Sequence, residues 1–175
     1  VVDTMFIGRI GAPALAGVGL AAVLYYTTLS LPAGMLRAVK TVTAQKRGAG
    51  HSGLRVGATG LWLGLGFGLV TTVALFLLAR VVFSSLEAEA EGCAGEYLGL
   101  RGAVLPLDAA FIALREYRYG NADTRGPMRA TLLANALNIG LDALFVLGLG
   151  LGVFGAALAT AIAVAMQALI LLLTT

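Results

Sequence analysis

The chain has 175 residues, 59% of them apolar and only 12% charged, with a mean hydropathy of +0.92 and a formal net charge of +3. A soluble domain carries about twice that charge, so the composition argues against a water-soluble enzyme or nucleic-acid-binding protein, and no hydrophilic stretch is long enough for a separate globular domain. The small positive balance is unevenly spread along the chain, which bears on membrane orientation rather than on nucleic acid.

A spanning helix needs about 20 mostly apolar residues. Residues 1–8 are too few and read as the end of a cut helix. No basic leader precedes them and no polar tail follows Thr175, so the expectation is one transmembrane domain, residues 1–175, truncated at both ends. Residues 12–36 form an uncharged span that Pro32 and Gly34 are expected to bend. Lys40, Lys46, Arg47, His51 and Arg55 then mark a basic connection. Residues 56–79 carry no charge and give the cleanest span. The stretch 80–96 is acidic through Glu87, Glu89, Glu91 and Glu96.

The fourth span, 97–114, is interrupted by Arg101, Pro106 and Asp108; the two charged residues lie seven apart, on one helix face, which fits a buried pair. Arg115, Arg118, Arg125 and Arg129 make a second basic connection. Asp123-Thr124-Arg125 with Pro127 reads as a helix-capping turn. A fifth span covers 130–147, a glycine turn 148–152, and a sixth span 153–173. The reading is an all-α polytopic bundle of about six spans, the first truncated. By the positive-inside rule, loops 40–55 and 115–129 are cytoplasmic and loop 80–96 is external.

Gly60, Gly64 and Gly68 repeat every fourth residue, as do Gly155, Ala159 and Ala163; such ridges let helix backbones approach closely. Cys93 and His51 are each single, which rules out an internal disulfide or a cysteine metal cluster. No phosphate-binding glycine-lysine loop, nucleophile elbow or paired histidines occur, so no enzyme activity and no cofactor are expected. The informative charge is Asp142, the only one between Arg129 and the C-terminus. With Thr131, Asn135 and Asn138 it forms one polar helical stripe. A carboxylate at a bilayer centre costs roughly 2.5–3.5 kcal/mol on insertion scales, and by default it marks a functional site.

Several strings resemble one family. Val2-Asp3-Thr4-Met5-Phe6-Ile7-Gly8-Arg9-Ile10-Gly11 followed by Ala14-Leu15-Ala16-Gly17 is similar to the first-to-second helix junction of multidrug and toxic compound extrusion (MATE) transporters. Leu36-Arg37, Thr41-Val42-Thr43-Ala44-Gln45 and Gly48-Ala49-Gly50 resemble the DinF-like branch. Gly120-Asn121-Ala122-Asp123-Thr124-Arg125-Gly126-Pro127-Met128 is similar to the family's loop between helices four and five. The firmest match runs from Ala134-Asn135 through Asn138 and Asp142 to Gly155-Ala156-Ala157-Leu158-Ala159-Thr160. The ordered series covers essentially the whole chain. It departs from the family at residues 114–119, at Lys40 and at Asp108.

The resemblance implies the amino lobe of a twelve-helix, two-lobed secondary transporter of the prokaryotic inner membrane. It implies export of small organic cations or amphipathic drugs against inward flow of protons, or of sodium. The partners are then the lipid bilayer, the drug and the missing carboxy-terminal lobe. Matched motif to motif, the family's cavity residues fall on Asp3, Asn138, Asp142 and Thr160, with Asn135 on the same stripe. Asp3 and Asp142 are the expected coupling carboxylates, because a desolvated carboxyl near a second one takes up a proton more readily. The oxygens of Asp3, Asn138, Asp142 and Thr160 equally suit sodium. Two other readings stay open: a lipid-linked glycan flippase of related fold, which would want more cavity arginines than Arg37 and Arg101, and a membrane protein whose polar stripe only holds helices together.

Overall fold

In hydrocarbon every backbone N–H and C=O must be bonded within the chain, so long apolar runs fold as helices. The computed structural model describes residues 7, 8 and 11–174, and those residues contain helices and turns but no strand. In chain order they form α1 (Ala12–Gly48), α2 (Leu54–Phe83), α3 (Ala88–Gly120), α4 (Arg125–Asp142), a π-helical turn (Ala143–Gly148) and α5 (Gly152–Leu173). Five helical segments are long and apolar enough to cross a membrane, α4 counted together with its π turn. The truncated first span, which includes Asp3, lies almost wholly outside the described residues.

The connections are much shorter than the charge pattern implies. Residues 40–48, 80–83, 88–96, 115–120 and 125–129 are helical, leaving turns at 49–53, 84–87 and 121–124. Charge marks where a helix leaves hydrocarbon, not where it ends. At ~1.5 Å per residue α1 is about 55 Å long, well beyond the ~30 Å hydrocarbon core. Pro32 and Pro106 sit inside α1 and α3 without ending either helix.

α3 is the central element, packed against α1, α2 and α5, while α4 rests mainly on α5. The glycine ridges explain the close approaches. A Cβ at Gly64 or Gly68 would fall 2.9 Å from the Ala109 carbonyl oxygen or 2.5 Å from Pro106 Cα, so α2 lies backbone-to-backbone on α3. A Cβ at Gly17 would fall 2.3 Å from the Ala90 oxygen, and one at Gly120 2.7 Å from the Lys40 oxygen. α1 and α3 therefore run in the same direction in direct contact, with α2 antiparallel to both.

Residues 115–119, within the stretch where the chain departs from the family pattern, do not all face outward. Glu116 and Tyr117 are buried, and Arg115 is half-buried with its Nη2 3.2 Å from Glu116 Oε1. The same end is tied together by Arg118. Its Nη1 lies 3.0 Å from Asp123 Oδ2, and its Nη2 donates to Thr174 Oγ1 at 2.6 Å. The expected capping turn is present: Asp123 Oδ1 accepts the backbone N–H groups of Arg125 and Gly126, both at 3.0 Å. Those donors, the Gly126 N–H above all, hold the Asp123 carboxyl below its ordinary range, and Arg118 adds to the effect.

Candidate functional site

Asp142 is the last residue of α4 and is fully buried at 0% exposure. Its position follows from the stripe: Asn138 stands one turn earlier on the same face, and the apolar residues between them turn away. Asn138 Nδ2 donates across the helix pair to Thr160 Oγ1 at 3.3 Å, and that hydroxyl in turn donates to the Ala156 carbonyl at 3.0 Å. Small neighbours on α5 make the approach possible, since Ala156, Ala157 and Ala159 are all at 0% exposure. The chain therefore brings a buried carboxylate, an amide and a hydroxyl to the α4–α5 seam.

Sequence reasoning named these three residues, and the structure joins Asn138 to Thr160 directly. Asn135 and Thr131 sit further along the stripe: Asn135 is exposed and Thr131 half-buried. Asp3 lies outside the described residues. The π-helical turn that begins at Ala143, immediately after Asp142, had no sequence signal. Such turns widen the helix by one residue and recur at functional sites. Here the turn re-aims the chain into the Gly150 and Gly152 bend, both at positive φ, and seats Phe145 Cβ 3.0 Å from where a Gly155 Cβ would stand.

A second polar cluster sits between α1 and α3. Arg101, 3% exposed, and Asp108 form the pair expected from their spacing, Nη2 to Oδ2 at 3.5 Å. Their shared neighbour, missed in the sequence, is Tyr25. Its hydroxyl donates to Asp108 Oδ2, and its ring lies 4.2 Å under the Arg101 guanidinium. The available signal was a tyrosine in an uncharged span, whose hydroxyl needs a partner when buried. Chemically the clusters differ. Arg101 and Asp108 form an ion pair, whereas Asp142 is a buried carboxylate one helical turn from the Asn138 amide, and a carboxylate can accept a proton or a hard cation.

Comparison with known proteins places this geometry. The MatE family model matches residues 1–144. The probable multidrug resistance protein NorM of Pseudomonas syringae pv. tomato is 34% identical over 179 residues, covering 97% of this chain and 38% of that protein. The protein of the same name from Rhizobium meliloti is 31% identical over 165 residues, covering 90% of this chain and 35% of its own length. Among solved structures, a multidrug resistance MATE family transporter of the MOP superfamily in its outward-facing conformation superposes with a TM-score of 0.89 at 28% identity, over 97% of this chain and 38% of that one. The chain thus spans little more than a third of the length of the curated relatives it matches.

Proposed function

The chain belongs to the MatE family, and from that premise we propose that it forms the amino lobe of a secondary transporter that exports organic cations or amphipathic drugs by exchange for protons. The observation that carries the coupling role is Asp142, a carboxylate with 0% exposure one turn from Asn138 in a span otherwise free of charge. A conformation that wets the α4–α5 seam from one side favours release of a proton, and one that closes it favours uptake. The Asn138–Thr160 hydrogen bond fixes the amide, so that its oxygen is held in place for substrate or ion. Asp3, at the position the family resemblance assigns, is the second carboxylate of this reading. Sodium would use the same oxygens, and the driving ion is decided by experiment.

Exchange by alternating access uses both lobes, so the test employs the full-length protein in everted membrane vesicles. Uptake of a fluorescent organic cation is followed under an imposed proton gradient, then a sodium gradient, for wild type and Asp142→Asn. The expected result is uptake under the proton gradient that falls at least tenfold in the variant at equal expression. Undiminished uptake by Asp142→Asn would make Asp142 a structural residue, and uptake driven by sodium alone would exchange the ion.

A further inference from the structure

We propose that the groove between α1 and α2, at the end of the bundle that carries the basic residues, holds one anionic phospholipid. Its phosphate would lie against Arg55 and one acyl chain along the helix pair. The groove encloses ≈ 330 Å³; Ala38, Val39 and Val42 of α1 and Val56, Gly60 and Leu63 of α2 supply its apolar wall, with Arg55 and Thr59 as its polar groups. Gly60 sets the floor: a Cβ there would reach to 2.8 Å from Val39 Cγ2, so the helices touch at that point and diverge beside it.

The groove lies at the depth of a lipid. Arg55 and Arg80 are the only charged residues of α2. They are about 37 Å apart along the axis, close to the ~40–45 Å that separates the two headgroup layers. Arg55 is thus at headgroup level. From Arg55 to Leu63 the helix rises about 12 Å, within the ~15 Å depth of one hydrocarbon leaflet. The outward face between the two arginines is apolar and exposed, including Trp62, Leu63, Leu69, Val70 and Val73.

Charge selects an anion. No Asp or Glu occurs from Thr4 to Leu86, yet Arg37, Lys40, Lys46, Arg47, His51 and Arg55 are brought to one end. The acids that other segments bring there are engaged, Asp123 by Arg118 and Glu116 by Arg115. The Arg55 side chain makes no ion pair with the described residues. A guanidinium at the mouth of an apolar groove is matched by a phosphate carrying a chain. A zwitterionic lipid brings its own ammonium to compete for that phosphate.

The test is native mass spectrometry of the full-length protein loaded with phosphatidylglycerol or phosphatidylcholine. Wild type is expected to keep one phosphatidylglycerol under activation that strips the remaining lipid, and to keep no phosphatidylcholine. Arg55→Gln should raise the phosphatidylglycerol dissociation constant at least tenfold, and Arg55→Lys should restore most of it. Ala38→Trp fills the exposed groove without touching the core and should abolish retention with Arg55 intact. Equal retention by Arg55→Gln, equal retention of phosphatidylcholine by wild type, or unchanged retention by Ala38→Trp would each overturn the proposal. Retention is read without transport, so failure of the exporter reading leaves this result standing.

Discussion

At the scale of single residues, the two polar clusters obey different rules. Arg101 and Asp108 form a buried ion pair that Tyr25 joins through its hydroxyl and ring, although Arg101 Nη1 has no hydrogen-bond partner. Removing one partner leaves an uncompensated buried charge, which typically costs 3–5 kcal/mol, whereas replacing a whole ion pair by apolar groups is often neutral. Arg101→Met and Asp108→Leu should therefore each lower the unfolding temperature of the purified full-length protein, while the double variant recovers most of the loss and still transports. A double variant no better than the sum of the two singles would mean that the pair does more than pin α1 to α3. Asp142 should behave in the opposite manner, its replacement by Asn changing coupling more than stability. This distinction was partly legible in the sequence. The seven-residue spacing paired Arg101 with Asp108, but Tyr25 lies 83 positions from Asp108, a relation fixed only by the α1–α3 packing.

At the scale of elements, the basic ends of α1 and α3 close by the same motif with different residues. After α1, Gly50 N–H bonds the Arg47 oxygen and His51 N–H the Lys46 oxygen, with Gly50 at φ 73°. After α3, Ala122 N–H bonds the Tyr119 oxygen and Asp123 N–H the Arg118 oxygen, with Ala122 at φ 59°. Both are Schellman caps, where glycine is the usual left-handed residue. A left-handed alanine costs roughly 1–2 kcal/mol, so Ala122→Gly should stabilise by about 1 kcal/mol and Gly50→Ala should destabilise by a similar amount. Denaturant midpoints of the purified protein decide this; no gain from Ala122→Gly would show that neighbouring contacts already hold the turn.

Asp123, next in line, caps α4, and Asp123→Ala should cost about 1 kcal/mol at pH 7. Its carboxyl is more acidic folded than unfolded, so the charged cap stabilises above ~pH 3.9 and fades as pH falls through the lowered folded value. The gap between wild type and Asp123→Ala should accordingly narrow on acidification. A gap that widened at low pH would contradict the capping role. The sequence placed this turn correctly because capping is local. Its spans stop short of the helix ends at 48, 83, 88, 120 and 125, because charge tracks the membrane interface rather than the last hydrogen bond, and the π turn after Asp142, where Phe145 packs against Gly155, is set by tertiary contact.

At the scale of the whole molecule, the five described helices sort charge to two ends. Residues 37–55 and 115–129, with nine of the chain's twelve lysines and arginines, lie at one end, and Glu87, Glu89, Glu91 and Glu96 lie at the other. Translocating lysine and arginine is disfavoured while acids contribute little, so the first end should be cytoplasmic and the second external. That orientation places Asp142, about 25 Å along α4 from Arg125, nearer the external side, from which the proton exchange proposed above would load it. Single cysteines in the full-length protein, with Cys93 replaced, test it directly. Ser52→Cys should react with a membrane-impermeant maleimide only after permeabilisation, and Glu89→Cys should react in intact cells. The reverse pattern would invert the lobe and place Asp142 nearer the cytoplasmic side, where the proposed loading from outside would not reach it directly.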